Sequence, residues 1–495
     1  MKLNIVFDHF DGEKPLPNGL FKKYHKDFWD NDHNHYNVLT RFIPINETRL
    51  GFFHILLENS KIESNIIRND QINPNEINIY PIELNYSDRS LILENCFSQI
   101  SEKTLEAIRK GQVKLLVYYA FEAFSVNQAN WINLVERSLG TLNIPAENVI
   151  FVFGCENLFH NLKTYYDEFS PFWNWRSYNW LYFSHFEFEF SHYLNFIKGK
   201  PEIHPKELVE NLNVNKNPSK KYLCLNGGGR EHRVFFLKEL YRRKLDQYGH
   251  ISYLNKFLGG DNTSEFVDIF DPSHLNVLDF HKKFQLEKIF LDTPEAYDEW
   301  HNRGMSRWTY EDTWFSVVTE TLYRPDSTFL TEKSFKPIAN LHPFLILGYP
   351  GLLKSLKQLG YQTFSDWFDE SYDNEYSNPV RFKKILNETK RLSQISNKEW
   401  QKMLKEMQPT LEYNRKLLFS KQFGQQIDTL MEQIISVCQK PNESMEDLRK
   451  YLSVPTLERD LDSSDSYLRF NGRLSSTLRR LDSLREKLLN KRVFP

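Results

Sequence analysis

Short apolar runs alternate with longer polar stretches through the first half of the chain. Five of these runs are rich in β-branched and aromatic residues and predict β-strands, at 3–7, 51–57, 77–84, 113–119 and 149–153. The stretch at 127–142, between the last two runs, has apolar residues at helical spacing. A crossover helix between two neighbouring strands makes those strands parallel. The pattern therefore predicts a parallel sheet.

Prolines, lysines and asparagines with little periodicity mark a boundary at 194–220. A second series follows it, with strands predicted at 222–225, 315–318 and 344–348, a helix at 231–245 and mostly helical sequence at 381–440. We therefore divide the chain into α/β domains at 1–205 and 218–385, a helical segment at 386–440 and a tail at 441–495.

An aromatic block at 172–193 precedes the boundary. Its end at 186–190 alternates Phe with Glu, which fits either one face of a strand or a helix entering a domain interface. Flat aromatic rings stack on sugars and nucleobases, but packing inside a core is the commoner role of such a cluster. The block alone does not decide between these roles.

Positive and negative side chains almost balance, with 63 Lys and Arg against 65 Asp and Glu. A net charge of −2 excludes a chain-wide attraction to phosphate backbones, so nucleic-acid binding requires a local patch.

The four cysteines form no CxxC pair, which argues against a disulfide scaffold or a zinc ribbon. No apolar run reaches the roughly 18 residues of a membrane span, and no signal-peptide pattern is present. We expect a cytoplasmic protein without a transmembrane segment.

The first segment with candidate chemistry is KYLCLNGGGREHR at 221–233. A strand that runs into glycines and then a helix brings backbone N–H groups close to a ligand, and a helix N-terminus favours anions. The candidate ligands of a diphosphate here are Asn226, Gly227, Gly228, Arg230 and Arg233. The same pattern is typical of a tight strand-to-helix turn with surface arginines, and both interpretations stay open.

The second segment, 314–364, contains a predicted strand that ends at Glu320 and a predicted helix that starts near Thr331, Glu332 and Lys333. Ligands of open α/β sheets bind at the carboxyl ends of the strands. A carboxylate there binds sugar hydroxyls or opposes a developing oxocarbenium ion, and a lysine at a helix start neutralises a leaving diphosphate. A capped helix with solvated charges explains the same residues.

This segment resembles the donor site of α-1,3-fucosyltransferases, in which a strand ending in a glutamate precedes a TEK helix; here the order is TET and then FLTEKSFKPIANLHPFLILG. With the element GYQTFSDWFDESYD at 360–373 and the REHR turn, it is also similar to uncharacterised glycosyltransferases of bacteriophages and giant viruses. The resemblance covers about 220–385. TET replaces the glutamate–asparagine pair of the fucosyltransferases, which leaves the donor sugar open.

The resemblance implies an α/β fold of the GT-B type, with two Rossmann-like domains facing a cleft and a helical C-terminal extension. It implies a nucleotide-sugar-dependent glycosyltransferase that transfers a sugar to a hydroxyl acceptor, with inversion and without a metal. The nucleotide sugar is then a co-substrate, and no other cofactor is expected. The implied donor-binding residues are Asn226, Gly227, Gly228, Arg230, Arg233, Glu320, Thr331, Glu332 and Lys333, with Glu320 also a catalytic candidate.

A general base for such a transfer is expected at the end of a strand in the first domain. Glu122 follows the predicted strand at 113–119 between two phenylalanines, where burial raises a carboxyl pKa. A helix-start glutamate bound to backbone N–H groups fits the position equally well. Asp8, with His9 and Asp11, follows the first strand and ranks second.

Two polar clusters have metal-compatible side chains, WDNDHNHYN at 29–37 and the acids of 366–373. The first cluster is packed tightly in a polar loop, where such side chains are usually solvated, and the second does not follow a strand in the manner of a metal-binding DxD. We therefore predict no metal site.

The tail raises the question of the acceptor. Its last 31 residues combine arginines and lysines with a leucine stripe, a pattern typical of a solvated helix, a self-association helix or a patch for DNA or anionic lipid. The chain is also rich in Asn, Lys and Ile and poor in Ala, as the AT-rich genome of a bacteriophage, a large DNA virus or a bacterium would encode. A glycan is the first acceptor we expect; a hydroxymethylated base in phage DNA is the alternative. A non-catalytic sugar or nucleotide-binding module is the third possibility.

Overall fold

In a computed structural model, the described part of the protein consists of two parallel β-sheets with surrounding helices. The model describes residues 3–7, 60–83, 97, 100–119, 135, 138–154, 178–198, 208–228, 230–256, 287, 289, 291, 305–323, 328–420 and 423–439. All of these residues fall within one compact unit. The chain is mixed α/β, consistent with Rossmann-like folding units.

The first sheet contains six strands: β1 (Leu3–Phe7), β2 (Ser64–Arg68), β3 (Ile77–Glu83), β4 (Lys114–Tyr119), β5 (Val149–Phe153) and β6 (Asn179–Tyr182). Their order is β2-β1-β3-β4-β5-β6, and every pair is parallel. Strands β4 and β5 are buried along their whole length, as continuous apolar runs in a parallel sheet should be. The predicted parallel sheet and four of its strands are confirmed, whereas the run at 51–57 lies outside the described residues.

The second sheet contains β7 (Tyr222–Gly228), β8 (Gly249–Lys256), β9 (Phe315–Thr319) and β10 (Phe344–Leu347). Their order is β10-β9-β7-β8, again with parallel pairs. The predicted strands at 222–225, 315–318 and 344–348 are confirmed. The predicted glycine turn is wrong, because β7 continues through Gly227 and Gly228 with a shift of register against β8.

Nine helices are described: α1 (Glu102–Arg109), α2 (His185–Lys198), α3 (Glu231–Arg242), α4 (Arg307–Glu311), α5 (Glu332–Ala339), α6 (Leu352–Gln358), α7 (Asn378–Gln394), α8 (Asn397–Ser420) and α9 (Phe423–Gln439). The predicted helix at 231–245 and the helical region at 381–440 are confirmed. The aromatic block contains β6 and then the start of α2, so its alternating end is a helix. No helix among the described residues is both long and apolar enough to cross a membrane.

Aromatic packing fixes the second sheet against α8. Trp400 stacks on Trp314 with ring centroids 5.8 Å apart and on Phe315 at 5.4 Å. All three side chains are fully buried, and burying a side chain of this kind stabilises a fold by roughly 1.5–3 kcal/mol. This packing holds the amino end of β9 in place.

The last described helix returns to the first sheet. Asp428 of α9 accepts hydrogen bonds from the Ser60 hydroxyl at 2.7 Å and from the Lys61 backbone N–H at 2.8 Å. Helix α9 also contacts β3. The predicted domain borders at 205 and 218 stay predictions, and the tail at 441–495 lies outside the described residues.

Candidate functional site

The candidate site lies at the carboxyl ends of β7 and β9. Because the strands are parallel, these ends lie at one edge of the sheet, where open α/β sheets bind ligands. Helix α3 begins directly after Arg230, and α5 begins directly after Thr331. Glu320 follows β9 at the same edge. The fold thus brings together residues that are distant in the sequence, such as Arg230 and Lys333.

The Glu320 carboxylate accepts four hydrogen bonds. Its Oε1 accepts from the Thr331 backbone N–H at 3.1 Å and from the Ser334 hydroxyl at 2.6 Å. Its Oε2 accepts from the Thr331 hydroxyl at 2.6 Å and from the Thr321 backbone N–H at 3.0 Å. The residue has no solvent exposure. The carboxylate therefore ties the start of α5 to the end of β9, and direct binding of a donor sugar by Glu320 stays a prediction.

Lys333 lies in the first turn of α5 with its ammonium group partly open to solvent. Its Nζ donates to Glu332 Oε1 at 2.7 Å and to the Thr331 hydroxyl at 3.2 Å, and its side chain is 27% exposed. The Thr331 hydroxyl caps α5 by accepting from the Lys333 backbone N–H. The predicted convergence of Lys333 with Glu320 thus occurs through Thr331.

Glu332 is a buried carboxylate beside two lysines. Burial alone raises the pKa of its carboxyl, but the charges of Lys333 and Lys336 and its hydrogen bonds outweigh burial and hold that pKa below its ordinary value. Glu332 is therefore negative at neutral pH and balances part of the positive charge around it.

His232 and Arg233 of α3 both contact the backbone carbonyl oxygen of Glu320. The Arg233 guanidinium donates to it at 3.0 Å, and His232 Nε2 lies 2.8 Å from it. Burial, reinforced by the charge of Arg230, lowers the pKa of Arg233 to about 10, so this buried side chain stays positive at pH 7. Burial and the charge of Arg233 lower the pKa of His232 well below its ordinary value, which makes its ring neutral.

Arg230 is exposed immediately before α3, and no side chain caps this helix start. Its charge contributes to the lowered pKa of both His232 and Arg233. Arg230 is thus the exposed cation of this helix start, whereas Arg233 is the buried one.

Asn226 forms hydrogen bonds with the neighbouring strands of the second sheet. Its side-chain oxygen accepts from the Thr319 hydroxyl at 2.8 Å, and its backbone N–H donates to Ser252. Neither contact is directed at an open surface, since Asn226 is buried. Its predicted role toward a donor stays a prediction.

Gly227 is exposed, and a Cβ added to it would meet no atom within 4 Å. Its backbone is not in the left-handed region, so neither conformation nor packing demands glycine there. A glycine within a strand marks either a bulge or a close approach of a ligand to the backbone. Gly228, its neighbour, pairs with Lys256 after the shift of register.

The sequence did not reveal Arg381 and Tyr323, which pack behind His232 and the start of α3. The Arg381 guanidinium lies 4.2 Å from the centroid of the Tyr323 ring and donates to the carbonyl oxygen of Gly348 at 3.0 Å. His232 also stacks on Tyr323, with centroids 5.5 Å apart. Arg381 stands in an ordinary helical pattern of α7, and its partners are distant in sequence, so no local signal marked it.

A small cavity separates the carboxyl edge of the first sheet from the loop that precedes α5. Its lining consists of Gly154, Tyr182, Ser184, His185, Phe186, Thr328, Phe329, Leu330 and Ser355. Phe186 of α2 contacts Phe329 edge to face, with centroids 5.3 Å apart. The cavity thus lies between residues that follow strands of both sheets.

The remaining residues singled out from the sequence either lie outside the described residues or bond to nearby backbone N–H groups. Asp8, with His9 and Asp11, and Glu122 lie outside the described residues, as does the cluster at 29–37. Asp373 accepts from the backbone N–H groups of Leu353 and Lys354, and Asp369 accepts from that of Ser371. These two acids of the 360–373 element therefore cap turns and a helix.

No family model matches the sequence, and no curated protein matches it. Among solved structures, the N-terminal domain of the Candida albicans trehalose-6-phosphate phosphatase is similar over 88% of this chain and 96% of that chain, with 10% identity and a TM-score of 0.35. A similarity this low does not establish a shared fold. The class of this protein rests on its own parallel sheets and helices.

Proposed function

We propose that this protein is a nucleotide-sugar-dependent glycosyltransferase that transfers a sugar to a hydroxyl group. The observation that carries the proposal is the cationic cluster at the carboxyl edge of the second sheet. There Arg230 and Arg233 lie at the start of α3 and Lys333 lies in the first turn of α5, with Lys336 in the last turn of that short helix. They accompany two buried carboxylates, Glu320 after β9 and Glu332 at the start of α5. A surplus of cations beside two helix N-termini suits a diphosphate, because both features favour anions.

We infer the GT-B arrangement, with the donor on the second sheet and the acceptor entering from the first. Two observations support it. The cavity is lined by residues at the carboxyl edge of the first sheet and by the loop that leads from β9 to α5, and α9 returns to the first sheet after the second is complete. An acceptor and a donor bound to different sheets would meet at such a boundary.

Gly227 supports a ligand close to the strand. The open space beside its Cα lies at the sheet edge, next to the helix that begins after Arg230. A phosphate that approaches the backbone of β7 there would need this space. Alanine at this position would keep the strand and fill part of that space.

In the proposed reaction, the acceptor oxygen bonds to the anomeric carbon as the bond from that carbon to the diphosphate breaks. Negative charge grows on the departing diphosphate, and the positive side chains of Lys333 and Arg230 stabilise it. Lys333 is suited to this role because its ammonium group is anchored on Glu332 yet reaches solvent. Glu122 and Asp8 stay predicted bases, and inversion without a metal stays a prediction.

A thermal-shift screen of the full chain against UDP-, GDP-, CMP- and ADP-sugars tests the donor. A ligand bound only by the folded state adds about 2.7 kcal/mol of stability at 100 times its Kd, so the matching donor raises the Tm. Lys333→Gln keeps a hydrogen-bond donor for Glu332 but removes the charge, and we expect it to lose this shift. Lys405→Gln, on the exposed face of α8, is the matched control and keeps the shift.

Three outcomes are informative. A wild-type Tm that no donor moves contradicts the proposal. A shift that survives Lys333→Gln removes Lys333 from the donor site. A shift without release of nucleotide, over a panel of hydroxyl acceptors and water, favours a non-catalytic binding module.

A further inference from the structure

Helices α3 and α7 pack against each other and share one outer surface. The Phe382 ring of α7 packs on Phe235 and Phe236 of α3, with ring centroids 4.8 and 5.8 Å apart. Directly after α3, the Arg243 guanidinium donates to the Asn387 side-chain oxygen of α7 at 3.2 Å. The end of α3 and the middle of α7 therefore form a continuous surface.

The exposed side of this surface is cationic. The exposed residues of α7 are Val380, Lys383, Asn387, Lys390, Arg391 and Gln394, and none of them is acidic. Positions 383, 387 and 390 lie on one side of a helix, because they are four and three residues apart. Together with the end of α3 they form what we call the basic stripe: Arg242, Arg243, Lys244, Lys383, Asn387 and Lys390.

Two acids of these helices, Glu239 and Glu388, are buried beneath arginines. The Glu239 side chain is 3% exposed and accepts from Arg242 at 2.6 Å and from Arg243 at 3.1 Å. The Glu388 side chain is 5% exposed and accepts from Arg391 at 2.6 Å. Both acids therefore contribute little negative charge to the outer surface.

The lysines of the stripe keep their charge unbalanced. Among the described residues, no acid forms an ion pair with the ammonium group of Lys244, Lys383 or Lys390. The acids of the 366–375 segment lie along another side of α7, where Lys384 pairs with Glu375 at 3.4 Å. The half-exposed acid Asp246 follows Lys244 by two residues and offsets part of the charge at that end.

The stripe follows a helix that leads to the proposed donor site. Near the start of α7, Arg381 donates to the carbonyl oxygen of Gly348, which directly follows β10. At the other end, Lys221 Nζ donates to the carbonyl oxygen of Ile395 at 2.9 Å, and Lys221 directly precedes β7. Helix α7 thus runs from the carboxyl edge of the second sheet to its amino edge. A long partner on the stripe would extend to the edge that carries the donor site.

The composition of the stripe favours a duplex. Lys383 and Lys390 are about 10 Å apart along the helix, a length that spans about three phosphates of one DNA strand. A membrane-bound helix buries large apolar side chains, whereas Val380 is the one apolar residue exposed along α7. Single strands are held by stacking on aromatic rings, and the stripe contains no aromatic residue.

We propose that the basic stripe binds the phosphate backbone of duplex DNA. Lys244, Lys383 and Lys390 contact phosphate oxygens as cations. Asn387 accepts from Arg243 through its oxygen, so its amide nitrogen is the donor toward a phosphate. Such contacts hold and orient a duplex without reading its sequence. The inference deepens the proposed function, on which its consequence for the reaction rests: the acceptor hydroxyl is then carried by DNA.

Fluorescence anisotropy of a labelled duplex with the full chain, at several salt concentrations and without any nucleotide sugar, tests the stripe. The variant combines Lys244→Gln, Lys383→Gln and Lys390→Gln, which are exposed positions whose loss of charge should leave the Tm unchanged. Each lost phosphate contact lowers the slope of log K against log salt by about 1, so we expect a slope lower by about 3.

The matched control combines Lys402→Gln, Lys405→Gln and Lys416→Gln. These three lysines are exposed on α8, where exposed glutamates accompany them, and the control has the same net charge as the stripe variant. It should retain the wild-type slope. The full chain is used because the tail at 465–495 supplies further cations.

A wild-type chain that does not bind duplex DNA overturns the inference. Equal slopes for the wild type and the stripe variant also overturn it, as does an equal loss in the control, because net charge would then explain the binding. Tighter binding to a single strand, to an RNA duplex of the same sequence or to phosphatidylserine vesicles would overturn the assignment to DNA. Failure of the proposed function looks different, since the stripe would bind DNA while no nucleotide sugar moved the Tm.

Discussion

Glu320 and Lys333 share one hydroxyl group, that of Thr331. The hydroxyl donates to Glu320 Oε2 at 2.6 Å, and Lys333 Nζ lies 3.2 Å from the same oxygen. The two predicted donor ligands therefore form one network, in which they differ sharply in access. The carboxylate is sealed by backbone and hydroxyl donors, whereas the ammonium group is partly exposed. Lys333 is the member of the pair that is open to solvent, and Glu320 is the member that holds the start of α5.

Glu320→Gln should destabilise the fold. A glutamine has one carbonyl oxygen for four donors, and its NH₂ group would face the N–H of Thr321 or of Thr331. A buried donor left without a partner costs about 1–3 kcal/mol, so we expect a loss of this size in the free energy of unfolding by urea. Glu432→Gln, an exposed acid on α9, is the control and should change it by less than about 0.5 kcal/mol. Equal stability of the two variants would refute the anchoring role.

Substitution by alanine should lower stability at Gly348 and donor binding at Gly227. A Cβ at Gly348 would lie 2.4 Å from a methyl group of Leu352 and 3.0 Å from the Glu320 Cβ, whereas a Cβ at Gly227 meets nothing within 4 Å. Overpacking typically costs about 1–3 kcal/mol, so Gly348→Ala should lower the Tm. Gly227→Ala should retain the Tm and lose the donor-induced shift. A normal shift in Gly227→Ala would place the diphosphate away from β7.

Stability should rise with pH because of Lys216. Its Nζ donates to the carbonyl oxygens of Tyr310 and Thr313, and burial lowers its pKa from 10.5 to about 7. A folded-state pKa below the unfolded one gives stability that is complete above pH 10.5 and is lost as the pH falls through about 7.

Urea unfolding of the wild type and Lys216→Met between pH 7.5 and 9.5 checks this expectation. The difference in unfolding free energy between the two should change with pH by at most about 1.4 kcal/mol per unit. This range lies above the ordinary titration of histidine. Parallel pH dependences for wild type and variant would show that Lys216 titrates normally in the folded protein.

Removal of residues 465–495 should distinguish the two acceptor classes. If the acceptor is hydroxymethylated DNA, the shortened chain retains hydrolysis of the donor and loses binding to modified duplex DNA in a gel-shift assay, because the arginines and lysines of the tail supply the phosphate contacts. If the acceptor is a glycan, removal leaves transfer to oligosaccharides unchanged. Binding of unmodified and modified duplexes with equal affinity would speak against base-specific modification.

The central strands and the edge strand β10 were predictable, whereas the edge strands β2 and β8 were not. Strands β4 and β5 are continuous apolar runs because helices cover both faces of a parallel sheet. Strand β2, with the sequence SNIIR, lies at an edge and carries few apolar residues, so no run marked it. Strand β8 is also an edge strand, and its His, Ser, Asn and Lys interrupt the pattern.

The convergence of Glu320 and Lys333 was predictable from the sequence, whereas the hydrogen bonds around them were not. The order of strand and TEK helix indicated that Glu320 and Lys333 meet, since both lie at the carboxyl edge of a parallel sheet. Burial of Glu320 depends on Thr331 and Ser334 folding back over it, and no local pattern encodes such a contact. The glycines of β7 were mistaken for a turn because residue type alone does not distinguish a bulged strand from a loop.

The return of α9 has a consequence for synthesis on the ribosome. The first sheet is complete in sequence by Tyr182, yet part of its cover is supplied by residues up to Gln439. During translation, the strands of the first sheet are made long before α9, the helix that covers β3 and bonds to Ser60 and Lys61. Nascent chains stalled before α9 would therefore expose an apolar surface to chaperones, and their release would bury it.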